Sequence, residues 1–85
     1  MQFDGAVIKE RGVNFAIVVV NPSTLDYSTH REETREAFSR HFPGIPVVLM
    51  AQNSQGIPTY SGRTDIVNLL ANIDFSKILF KTYTV

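Results

Sequence analysis

The sequence predicts a small α/β domain of the α+β kind: a two-layer sandwich with a mixed sheet of about five strands and two helices. Three observations lead there. Residues 13–20 (VNFAIVVV) and 45–51 (IPVVLMA) are nearly unbroken apolar runs rich in β-branched residues, as strands in the middle of a sheet are. A single helix-like segment separates the two runs. The closing stretch, Lys77–Val85, alternates in character as a half-buried strand does.

The elements follow in order. Residues 3–9 are moderately apolar (Phe3, Ala6, Val7, Ile8), and Glu10-Arg11-Gly12 supplies a turn in which Gly12 can take a positive φ. Residues 5–20 therefore read as a β-hairpin with 13–20 as its central strand; a first helix capped by Gly12 is the rival, but it would be too short to be stable alone. Asn21-Pro22 ends the strand, since proline cannot donate to a ladder. Thr29-His30-Arg31-Glu32 has the spacing of a capping box, opening a helix that runs to about Phe42 and stops at Pro43-Gly44. The stripe of that helix is narrow, Ala37 and Phe38 with Thr34, His41 and Phe42 beside them, so it covers one sheet face and shows its other side to water.

The second strong strand spans about Pro46–Ala51. Asn53-Ser54-Gln55-Gly56 then turns the chain, and Ile57–Ser61 returns antiparallel as an edge or short strand because of Pro58. Gly62 opens a second helix over about Arg63–Ile73, with Ile66, Val67, Leu69, Leu70 and Ile73 as its buried stripe and Asp65 in its positive first turn. In the last strand Ile78, Phe80, Thr82 and Thr84 share one face, and Leu79, Lys81, Tyr83 and Val85 the other. The element order is ββαββαβ. From residue 13 onward its nearest pattern is the βαββαβ string of ferredoxin-like domains. A thioredoxin-like end over residues 46–73 is the alternative, although that fold's paired cysteines and several of its elements are missing.

Length and composition narrow the function. The 85 residues make a single domain with a thin core, of the kind that often gains stability by self-association. With no cysteine, thiol catalysis, CxxC redox chemistry and cysteine-based zinc sites are excluded. Eight basic and eight acidic residues balance, and the basic ones are scattered, which argues against nucleic acid. No apolar run is long enough to span a bilayer, and Met1-Gln2-Phe3-Asp4 lacks a basic leader, so no membrane partner and a cytoplasmic location are expected.

Few residues suggest chemistry. His30 and His41 share a helix face, but eleven residues of helix separate them by about 16 Å, too far for one metal ion. No serine sits in a Gly-x-Ser-x-Gly elbow, and Glu32, Glu33 and Glu36 belong to a solvated helix face. No catalytic residue, metal site or cofactor is therefore assigned. If the two central strands are parallel, the loop holding Asn21, Ser23 and Thr24 and the turn holding Gln52 and Asn53 leave the same sheet edge, where α/β domains bind ligands. Tyr60, Ser61 and Arg63 form a second polar cluster, with Arg63 offering a fork for a carboxylate or phosphate. An antiparallel return strand would put this cluster at the opposite end of the sheet from the first.

Leu79, Lys81, Tyr83 and Val85 on the closing strand are candidate interface residues, because a half-apolar edge strand is a template for another chain; Lys77 and Lys81 are its natural blockers. The leading expectation is a non-enzymatic protein-interaction module that self-associates, with protein (a second copy or another chain) as its partner. The alternative is a domain that binds a small molecule or anion, or a modest enzyme, using the loops after the central strands or the start of the second helix.

Overall fold

The computed structural model describes residues 1–85 and contains the expected five-stranded mixed sheet and two helices. The elements are β1 (Gln2–Glu10), β2 (Val13–Val19), a 3-10 turn at Pro22–Leu25, α1 (Ser28–Ser39), β3 (Val47–Gln52), β4 (Pro58–Ser61), α2 (Thr64–Leu70), a 3-10 turn at Phe75–Lys77 and β5 (Lys81–Thr84). The sheet order is β4-β3-β2-β1-β5, so β2 is central as its apolar run requires. β1 and β2 form the hairpin, extended back to Gln2, and β2 and β3 are parallel. The βαββαβ string is present, but β2 and β3 are direct neighbours. The βαβ unit is thus unsplit, and the strand order is not ferredoxin-like; residues 46–73 do form an edge hairpin followed by a helix.

Strand alternation sends successive residues to opposite faces. Ala16 and Val18 of β2 with Val47 and Leu49 of β3 pack with Phe3, Phe38 and Phe42 on the α1 side. Phe15 and Ile17 with Val48 and Met50 pack with Ile66 and Leu70 of α2 on the other. The helices therefore lie on opposite faces, and the layering is helix–sheet–helix instead of the two layers expected. Both central strands are buried on both sides, which is why neither shows an apolar–polar alternation in sequence.

Several boundaries differ from the sequence reading. α1 begins at Ser28 with Tyr27 as its N-cap, and no side chain caps it. The Thr29–Glu32 capping box does not form, because Thr29 already lies inside the helix. The first turn is held instead by Arg31, whose Nη1 donates to the Leu25 carbonyl at 2.8 Å. α1 ends at Ser39, and two further turn bonds, His41 N–H to Phe38 O and Phe42 N–H to Ser39 O, swing Phe42 into the core. α2 is seven residues long, with Arg63 as its N-cap. Ala71–Ile73 continue it only as hydrogen-bonded turns. The last strand is likewise shorter, Lys81–Thr84, because Asp74 accepts from Ser76 N–H and caps a 3-10 turn over Phe75–Lys77.

β5 pairs antiparallel with Gln2–Gly5 only, so β1 outruns it by half its length. Gly62 lets the β4–α2 connection lie directly on β3, where a Cβ would stand 2.9 Å from Val48 Cγ2.

Candidate functional site

The edge formed by β4 gathers half of the polar residues singled out in sequence: Gln52, Asn53, Tyr60 and Ser61. β4 is only four residues long, so the groups at its two ends are close together. An open cleft of about 340 Å³ runs along it, lined by Leu25, Arg31, Thr59, Tyr60, Ser61, Gly62, Thr64 and Val67. A smaller hollow of about 270 Å³ adjoins it and shares Leu25 and Thr59; Pro22, Asp26, Ala51, Gln52 and Asn53 complete its lining. The antiparallel β4 holds Gln52 and Asn53 at one end and Ser61 at the other, as expected, and the two hollows meet at Leu25 and Thr59.

Individual residues fall differently. Gln52 Nε2 donates to the Gly56 carbonyl, and Asn53 Oδ1 accepts from the N–H groups of Gln55 and Ile57, so both close the β3–β4 turn. Asn21 and Thr24 line another hollow, beside Phe3, Asp4 and Phe38, and Ser23 lines none. Tyr60 and Ser61 do line the main cleft, Ser61 on the α1 side of β4 and Tyr60 with its ring turned to the α2-side core. Arg63 does not: its Nε and Nη2 grip the two carboxylate oxygens of Asp65 at 3.0 and 2.6 Å, and both side chains are 57 % exposed. That fork holds the Asp65 carboxyl below the usual carboxylate range and raises the guanidinium in turn. Arg63 is therefore satisfied by its own neighbour and is not free to take an anion. The cation in the cleft is Arg31, which the sequence reading placed only within a helix-capping pattern.

Arg31 is half-buried and forms no ion pair; Arg63–Asp65 is the one ion pair of the chain. The side-chain hydroxyls of Thr59, Ser61 and Thr64 make no hydrogen bond within the chain. The Tyr60 hydroxyl is shielded from solvent without a partner, and burial pushes its pKa up. Buried polar atoms are rarely left unpaired.

At the other sheet edge, Tyr83 is turned inward. Its ring stacks on Phe3 at 5.2 Å and meets Phe42 edge-on at 5.3 Å, while Lys81 Nζ lies 5.7 Å from its centroid on the outside. Leu79 is 89 % exposed and Val85 51 %. Leu79 joins Ala6, Val7, Ile8, Ile73 and Ile78 in a mostly apolar slot of about 360 Å³, closed by Glu10 and Lys77. His30 and His41 line one groove along α1, beside the start of β1, with Met1, Glu33 and Phe38. No three His, Asp or Glu side chains come close enough to hold a metal ion, and no helix is long and apolar enough to cross a membrane.

Fold and edges define a small α+β domain of helix–sheet–helix layering with one polar and one apolar sheet edge. No protein-family model matches the chain, and neither curated proteins nor solved structures give a significant match.

Proposed function

We propose that this chain is a non-enzymatic interaction module that self-associates through the open half of β1. The observation that carries the reading is a row of unpaired backbone groups. Met1 and Val85 exchange both hydrogen bonds at 2.9 Å, which fixes the phase of the β1–β5 ladder. By alternation the odd residues of β1 face β5. Pairing stops at Gly5–Lys81, so Val7 and Lys9 turn their N–H and C=O groups outward with no strand to receive them. The apolar slot of Val7, Ile73, Ile78 and Leu79 flanks that row.

A second copy meets these demands. Two β1 strands paired antiparallel about Ile8 match Val7 of each with Lys9 of the other, both in outward-facing positions. The same register sets Glu10 of each copy beside Ala6 of the other and closes the contact on itself about a two-fold axis. β1 suits the role of template better than β5, which is four residues long, carries Lys81, and gives Tyr83 to the core.

Light scattering coupled to size exclusion, from micromolar to millimolar protein, tests the reading. The expected result is a dimer that grows with concentration and is lost in Leu79→Asp and Val7→Asp, whose side chains are 89 % and 55 % exposed in the single copy. A monomer at every concentration overturns it.

A further inference from the structure

We propose that the β4-edge cleft is a binding site for a small organic anion, with Arg31 gripping its carboxylate or phosphoryl group. The proposal is independent of the self-association at β1, which lies at the opposite edge of the sheet.

The lining makes the case by what it holds and what it lacks. Arg31 is the only charged side chain in it, and no acid lines the cleft. Asp26 lines the adjoining hollow and makes no ion pair. One donor of the Arg31 fork is fixed on the Leu25 carbonyl at 2.8 Å, which anchors the guanidinium, and the rest of the fork is free. A planar fork held in place from one side suits bidentate recognition of an oxyanion, because little side-chain freedom is lost on binding. Thr59, Ser61 and Thr64 surround it with hydroxyls that have no partner within the chain. They can donate to further anion oxygens or accept from a ligand hydroxyl.

By the β3–β4 register, with Asn53 N–H on Ile57 O at 3.0 Å, the Tyr60 N–H and C=O face away from β3 along this edge. Leu25 and Val67 add an apolar wall, so the ligand carries a short carbon body as well as its charge. The volume, about 340 Å³, is at the small end of ligand sites.

The test is a titration followed by amide NMR at low ionic strength, with inorganic phosphate in one arm and acetate in the other. Saturable shifts centred on residues 31 and 59–64 are expected, and the arm that saturates at lower concentration tells a phosphoryl from a carboxylate ligand. Arg31→Gln weakens binding by about tenfold or more, the loss of one charge-assisted bidentate contact. Arg63→Gln leaves it unchanged. Because Arg31 also holds the first turn of α1, Thr59→Val serves as a second variant at an exposed position and weakens the same anion by about threefold or more. Linear, unsaturating shifts in both arms, or binding that survives Arg31→Gln or follows Arg63, overturn the proposal.

Discussion

Arg11 has a φ of 51°, the one residue other than glycine in the left-handed region. With Gly12 at φ 78° it forms the two-residue turn between the paired Glu10 and Val13. Two successive positive φ values are the mark of a type I′ hairpin, the turn whose twist matches the strands it joins. Gly12 is at ease there; Arg11 is not, since an L-side chain in this region costs about 1 kcal/mol or more. Asparagine tolerates the conformation, so Arg11→Asn is expected to stabilise the domain by about 0.5–1 kcal/mol in urea denaturation, with an unchanged m-value. Asp74 makes a different residue-scale case. Ser76 donates to it through its hydroxyl at 2.7 Å and its N–H at 3.0 Å, holding its carboxyl below the ordinary value of 3.8. A carboxylate depressed on folding adds stability above its unfolded pKa and loses it as pH falls through the folded value. Asp74→Asn should therefore lower stability at neutral pH and flatten the acid limb below about pH 4. The effect is small because the group is exposed, and an equally steep acid limb in the variant would refute it.

At the scale of elements, α2 depends on tertiary packing. A helix of seven residues is not stable in water by itself. Its place is set by Ile66 and Leu70, each 1 % exposed, which pack with Val48 and Met50. Leu70→Ala should cost about 2–5 kcal/mol, read as a lower denaturation midpoint. Burial of this kind was legible in sequence: Ile66 and Leu70 stand at helical spacing, and the runs at 13–20 and 45–51 could only be central strands. What was not legible depended on distant partners. The capping box at Thr29 failed because Arg31 reaches back to Leu25, a contact across the loop that local spacing does not announce. β5 is shorter than the alternation predicts because that of residues 77–80 is equally served by a capped 3-10 turn that sends Ile78 and Phe80 under the sheet. The polar cleft divides in the same way. Tyr60 and Ser61 were visible as a cluster, whereas the choice between Arg31 and Arg63 rested on Asp65 two residues on, whose pairing with Arg63 removes that cation from the site.

For the molecule as a whole, the consequence of helix–sheet–helix layering is that two small cores share one sheet. Neither is large, and a chain of 85 residues has about 4–13 kcal/mol of total stability to distribute. Each core is built on alternate residues of the same two strands, Ala16, Val18, Val47 and Leu49 on one side and Phe15, Ile17, Val48 and Met50 on the other. Strands cannot lose one face and keep their register, because a slip of one residue exchanges the two faces. The halves must therefore unfold together, although no residue of the α1-side core belongs to the other. Phe42→Ala, which empties only the α1 side, should cost about 3–5 kcal/mol. It should also lower the amide protection of Ile66–Leu70 on the far side by the same amount as that of Val47–Leu49. Hydrogen exchange in Phe42→Ala and in Leu70→Ala measures this directly. Equal loss on both faces in both variants is the signature of one cooperative unit, whereas loss confined to the mutated face would mean that the sheet does not couple its two sides.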